Sequence, residues 1–254
     1  QFHVLFTATQ PAFQRLAAKP SGKNSDIRSS AALALKLAGA GEVKVFAFEG
    51  EGGHTAGASH ETKNTAWGLG LDNLVYVFDW NDYGIDPRRH SEVVYGDPEV
   101  WFGSYGFKVD GTEEGSEWEP LTRAMCEVIW GDNPEKRPRC LWMKTRKGRG
   151  YGVYDYKSHG AAHKMNSEPF WETKRVFAEK YGVTWDGFGE AAPGDGDALM
   201  KQAANNMNVA LDVLRGNREV LEYLADRLVE IGDSVPADVP SFRLDPERNP
   251  VTDP

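Results

Sequence analysis

A chain of 254 residues with 40% hydrophobic and 26% charged residues has the composition of one large globular domain with room for a substantial core. Its formal net charge of -9 excludes the basic footprint that a nucleic-acid binder needs. No apolar run approaches the roughly 20 residues that cross a bilayer, and no charged-then-apolar leader opens the chain, so a soluble, cytoplasmic protein is expected.

The elements alternate along the chain. Residues 1–24 carry no clear pattern, and a start at Gln1 without Met suggests processing or a fragment. Residues 29–38 are rich in Ala and Leu and stop at Gly39 and Gly41, which predicts a helix and its end. Residues 42–48 read as a buried strand, residues 60–68 as a helix and residues 74–78 as a second strand. A further cycle follows, with helices expected at 99–105 and 118–129 and strands at 107–109 and 140–144. Strand, helix and strand at this spacing predict an α/β fold, an open and mostly parallel sheet with helices on both faces.

Beyond residue 167 the pattern turns helical, over 170–181 and 197–232. Five prolines fall in residues 236–254, a density that excludes a regular helix or a central strand. The predicted organisation is therefore an α/β domain over 1–190, a helical extension over 191–235 and a Pro-rich connector over 236–254. Cys126 and Cys140 are the only cysteines and read as small apolar groups, with no disulfide framework.

Two segments fall at predicted strand ends, the edge where open α/β sheets bind ligands. The first is Glu49-Gly50-Glu51-Gly52-Gly53, and the second runs from Asp79 through Asn81, Asp82, Tyr83, Gly84 and Ile85 to Asp86. Glycines there allow main-chain N–H groups to approach phosphate oxygens, while a carboxylate and an amide oxygen are the hard ligands that magnesium or calcium prefers. Among the other candidates, Asp79, Asp82 and Asp86 read as turn formers or caps. His54 reads as an exposed loop residue and His60 as packed at a helix start. His163 suits a loop better than a zinc pair with His159. The tryptophans 101, 118, 130, 142, 171 and 185 read as core and interface bulk. Lys144, Lys147 and Arg149 form a basic run that could face a phosphate-bearing substrate.

Gly50-Glu51-Gly52, followed by Asn81 after twenty-eight intervening residues, resembles the thiamine-diphosphate motif of the transketolase superfamily. The resemblance runs without a gap from Gly50 to Asn81, and includes Gly57-Ala58-Ser59-His60-Glu61. Downstream, Lys144-Thr145-Arg146-Lys147-Gly148-Arg149-Gly150 and Ser158-His159-Gly160-Ala161 are similar to the family's strand-end and Ser-His-Gly-Ala segments. The resemblance implies thiamine diphosphate as cofactor with Mg2+ or Ca2+, held by Glu51, Asn81 and the main-chain carbonyl of Tyr83. It implies further that Gly50, Gly52, Gly53, Ile85 and His159 meet the cofactor, with His159 as the catalytic group that donates a hydrogen bond or moves a proton. The chain departs from the family at Glu51, where relatives have Asp, and at Ala56, where transketolases carry a Glu that couples the two active sites. Neither His-Gly-His nor Gly-Pro-Leu-Gly-Gln-Gly precedes the glycine loop.

The expected activity is transfer of a two-carbon ketol unit between sugars or sugar phosphates. Alternatives are the decarboxylating component of a homodimeric-type pyruvate dehydrogenase, acting on a 2-keto acid, and a non-catalytic cofactor-binding homologue. In all three the family places the pyrimidine-activating Glu on a second α/β domain. A partner domain or subunit, within a homodimer or a larger assembly, is therefore expected.

Overall fold

The computed structural model describes residues 23–160 and 162–234. The unassigned opening through residue 22 and the Pro-rich stretch 236–254 lie outside the described residues. The chain divides into two compact units, with the division between Arg175 and Val176.

The first unit is built on a parallel sheet. Its elements run α1 (Lys23–Leu37), β1 (Val45–Gly50), the single turn α2 (Glu51–His54), α3 (Gly57–Gly68), β2 (Leu74–Trp80), α4 (Pro98–Gly103), β3 (Lys108–Thr112), α5 (Trp118–Trp130) and β4 (Arg139–Lys144). Among the described residues the strand order is β1-β2-β4-β3, with every neighbouring pair parallel. The expected α/β class, with its parallel sheet and crossover helices, is what the structure shows.

The two central strands are apolar on both faces, as a sheet covered by helices on each side requires. Leu74, Tyr76 and Phe78 of β2 alternate with Val75 and Val77, so each set lines one face. The first set joins Ala32 of α1, Ala66 of α3, and Trp101 and Phe102 of α4 in one core. Val75 and Leu141 meet Ala124 and Val128 of α5 in the other. Buried polar groups close the seams. Asn73 Nδ2 donates to the carbonyl of Ala32 at 3.0 Å, and the guanidinium of Arg139 donates to the carbonyls of Val128 (2.6 Å) and Gly131 (3.0 Å). These last contacts satisfy carbonyls left open where α5 ends.

Several expectations shift at this level. The helix expected at 29–38 begins at Lys23, and the helix expected at 60–68 begins at Gly57, behind a separate turn that carries Glu51. Trp101, Trp142 and Trp171 are buried, but Trp118 and Trp130 on α5 are exposed, because α5 turns Ala124, Val128 and Ile129 to the sheet.

The second unit takes up helix α6 (Glu168–Tyr181) from Val176 onward, and continues through α7 (Gly196–Gly216) and α8 (Arg218–Ser234). The stretch expected as helical over 197–232 is interrupted at Asn217, whose φ of -95° and ψ of 71° leave the helical region. Asp195 caps α7 by accepting the N–H of Ala198 at 3.0 Å. The loop before α7 is tied to that helix at Asp186, whose N–H donates to Asn206 Oδ1 (2.7 Å) and whose carbonyl accepts from Gln202 Nε2 (2.8 Å).

Candidate functional site

β1 ends at Gly50 and β2 at Trp80, and the pairing of Gly50 with Asp79 brings the two expected ligand segments to the same edge of the sheet. From Gly50 the chain turns directly into α2, so Glu51 leaves the strand tip as the first helical residue and is buried at 2% exposure. Its Oε1 accepts the main-chain N–H of Asp82 at 2.5 Å. The next N–H, that of Tyr83, donates to Asn81 Oδ1 at 3.1 Å. Glu51 and Asn81 are thus gathered on successive amides of one turn.

Electrostatics sharpen this picture. Burial raises the Glu51 carboxyl from its ordinary value to about 7; the Asp82 N–H partly offsets the rise, and the nearby carboxylates of Asp79 and Asp82 add to it. A buried carboxyl beside two others, served by a short main-chain donor, is an environment that a cation would relieve. All three expected ligands are oxygens: the Glu51 carboxylate, the Asn81 amide and the Tyr83 carbonyl. That donor set fits a hard divalent cation. Among the described residues, no group of three or more His, Cys, Asp or Glu side chains is arranged to hold a metal. At Gly52, a Cβ would meet nothing within 4 Å, which leaves bare main chain open to a phosphate.

The loop after β4 reaches this turn. Thr145 Oγ1 donates to Asp79 Oδ1, and Asn81 Nδ2 donates to Asp79 Oδ2 at 3.0 Å. Lys147 Nζ donates to the carbonyl of Gly84 at 2.6 Å and stands 3.4 Å from that of Tyr83. Asp82, with a positive φ of 68°, accepts the N–H of Ser91 (2.8 Å) and its hydroxyl (2.9 Å). Ile85 and His159 are exposed, and neither belongs to this hydrogen-bonded cluster. His159 closes the short helix Asp155–His159, whose first N–H donates to the carbonyl of Lys147 at 3.0 Å.

Sequence reasoning missed Asp79 and Thr145. Asp79 was expected as a turn former, but it bridges two strand ends. The signal was its place two residues before Asn81, which puts both side chains on one side of an extended chain. The other members of the basic run also have partners within the chain. Lys144 Nζ lies 3.6 Å from the centre of the Trp80 ring, and Arg149 faces Glu117 at 3.3 Å.

His54 corrects an expectation. It is buried at 3% exposure, stacked on Phe102 with centroids 5.4 Å apart and edge-on to Phe78 at 5.3 Å. Lys63, wholly buried, donates to His54 Nδ1 at 3.3 Å and lies over the rings of Phe102 (5.0 Å) and Tyr105 (4.8 Å). Burial, then Lys63 and the neighbouring histidines, lowers the His54 imidazole to about 3. It is therefore neutral and able to accept. His60 sits in the first turn of α3, exposed, and hydrogen-bonds Tyr105 at 2.7 Å. His163 Nε2 lies 2.9 Å from the carbonyl of Tyr151 and its ring stacks on the Tyr151 ring.

Residues 35–183 match the family described as the transketolase thiamine diphosphate binding domain. The chain belongs to that family. A curated relative, transketolase-like protein 2 of Bos taurus, is 34% identical over 110 residues, which are 42% of this chain and 16% of the relative. Transketolase from Leishmania mexicana superposes with a TM-score of 0.56 at 19% identity, over 84% of this chain and 32% of the other. Transketolase from Campylobacter jejuni gives 0.53 at 21% identity, over 83% and 32%. At these identities the solved structures establish the shared fold. This transketolase-family chain spans about a third of their length.

Proposed function

We propose that this chain is the diphosphate- and metal-binding part of a thiamine-diphosphate enzyme that transfers a two-carbon ketol unit between sugars or sugar phosphates. The observation that supports this most is the meeting of Glu51 and Asn81 on successive amides of one turn, beside the open main chain at Gly52. Glu51, Asn81 and the Tyr83 carbonyl hold Mg2+ or Ca2+, and Gly50, Gly52 and Gly53 present main chain to the diphosphate. Thiamine diphosphate, when bound, supplies the carbanion chemistry that breaks the bond next to a carbonyl. Ile85 packs against the cofactor. His159, exposed at the end of its short helix, offers an imidazole N–H to a developing oxyanion and shuttles a proton there.

Residues 1–190 form the cofactor-binding part, residues 191–235 a helical extension and residues 236–254 a connector. The pyrimidine ring is activated by a second α/β domain or subunit, in a dimer or larger assembly. The setting is the cytoplasm, in keeping with Cys126 and Cys140, which are both free thiols. Among the described residues no helix is long and apolar enough to cross a membrane.

The test is a coupled assay of ketol transfer from a ketose phosphate to an aldose phosphate, with the chain reconstituted alongside a polypeptide bearing the pyrimidine-binding domain. Turnover that requires both polypeptides and is lost in His159→Ala supports the reading. Release of carbon dioxide from pyruvate without ketol transfer would replace it with the decarboxylase reading, and cofactor binding without either reaction with the non-catalytic one.

A further inference from the structure

We propose that Thr145 and Lys147 form a two-point clamp that positions the cation-binding turn, Thr145 by orienting the Asn81 amide through Asp79 and Lys147 by fixing the Tyr83–Gly84 main chain. This rests on the metal-binding reading of Glu51, Asn81 and Tyr83.

An Asn amide has one accepting end and one donating end, and only the oxygen can ligate a hard cation. Which end faces the site is therefore a structural decision. Asp79, as a carboxylate, has only acceptors to offer, and Asn81 Nδ2 donates to its Oδ2 at 3.0 Å. Turned round, the amide would set its oxygen against that carboxylate and its NH2 group against the N–H of Tyr83. The observed orientation leaves Oδ1, with the Tyr83 N–H at 3.1 Å, a second lone pair for a cation.

Asp79 is itself exposed, one residue before the end of β2, and its other oxygen is held by the hydroxyl of Thr145. Thr145 is anchored in turn, because its main-chain N–H donates to the carbonyl of Trp80 at 3.1 Å. Thr145, just past the end of β4, holds Asp79, and Asp79 holds Asn81, an arrangement of the kind by which outer-shell partners aim metal ligands.

Lys147 acts at the other end of the turn. Its ammonium donates to the carbonyl of Gly84 at 2.6 Å and, more weakly, to that of Tyr83 at 3.4 Å, which ties down two successive peptides and with them the direction of the Tyr83 carbonyl. The carbonyl of Lys147 accepts the Asp155 N–H at 3.0 Å, so the same residue joins the cation turn to the loop that carries His159. Neither Thr145 nor Lys147 offers a ligand of its own. Both are positioning residues.

The experiment titrates Mg2+ by calorimetry into the full chain with saturating thiamine diphosphate, for the wild type, Thr145→Val, Thr145→Ser, Lys147→Met and Lys147→Arg. NMR follows the Asn81 side-chain amide without metal or cofactor, and thermal melting checks folding. Loss of outer-shell partners costs roughly 10–100-fold in metal affinity, so Thr145→Val and Lys147→Met should weaken Mg2+ binding by about tenfold or more. Thr145→Ser should bind within about threefold of the wild type, because the hydroxyl is kept. In Thr145→Val the Asn81 amide signal should move towards that of a free side chain.

Wild-type affinity in Thr145→Val, or Thr145→Ser as weak as Thr145→Val, overturns the clamp while the metal reading stands. A wild type that binds no Mg2+ with the cofactor overturns the metal reading, and the clamp's role with it. An Asn81 signal unmoved in Thr145→Val removes the clamp on structural grounds, whether or not cofactor binds.

Discussion

Glu51 and Asp82, thirty-one residues apart, meet where the Glu51 carboxylate accepts the Asp82 main-chain N–H at 2.5 Å. This bond joins the first turn after β1 to the turn after β2, and it places the buried carboxyl between two others. Because burial raises that carboxyl to about 7 in the fold, the unfolded chain gives up the proton first as pH rises. Stability of the metal-free protein therefore falls from about pH 4.5 up through about pH 7, and the penalty persists above. Glu51→Gln removes it. Denaturant unfolding should show the variant equal to the wild type near pH 4.5 and more stable at pH 8, by an amount on the order of 3 kcal/mol. With Mg2+ and cofactor the order should reverse, since the wild type alone gains binding free energy. A gap that does not change with pH would show that Glu51 is not held in this environment.

Lys63 supplies a second pH signature. Its ammonium is wholly buried against rings and the neutral His54, and burial lowers it to about 8. A lowered lysine means that the unfolded state holds the proton longer. The cost of the buried charge is fully present below about pH 8 and is relieved as pH rises towards 10.5. Lys63→Met keeps the volume and removes the charge, so it should stabilise the chain at pH 7 by about 1–3 kcal/mol. The gain should shrink as pH rises through that window. A destabilised Lys63→Met at pH 7 would show that the aromatic faces more than offset the burial.

Gly148 follows Lys147 with a φ of +82°, and a Cβ there would lie 2.1 Å from the carbonyl oxygen of Val153 and 2.8 Å from Ser158 Cβ. Both the left-handed backbone and the clash with main chain oppose any side chain. Gly148→Ala should loosen the loop between Lys147 and His159, raising amide exchange across residues 147–159, with a loss of about 1–3 kcal/mol in local stability. Exchange unchanged from the wild type would mean that the loop has another low-energy conformation.

Much of the fold was legible because it rests on local pattern. The apolar runs that became β1, β2 and β4, the glycines at the β1 tip and Asn81 at the β2 tip all declare themselves within a few residues. What escaped the sequence depends on distant partners. His54 stood in a glycine-rich loop and was expected in solvent, but Phe78, Trp101 and Phe102 come from later elements to bury it. Asp79 had the composition of a turn former, and only the pairing of β2 with β4 brings Thr145 to it. The break at Asn217 was announced by Gly216 just before it, a helix-ending signal that the reading of 197–232 as one helical stretch passed over.

The central claim is a cation held between Glu51 and Asn81 that fixes a diphosphate to main chain. The direct measurement is calorimetric titration of thiamine diphosphate into the full chain, with Mg2+ and with EDTA, for the wild type, Glu51→Ala and Asn81→Ala. Binding that needs Mg2+ and falls by at least about tenfold in both variants is the predicted result. Binding that is the same in EDTA, or indifferent to both substitutions, would contradict the account.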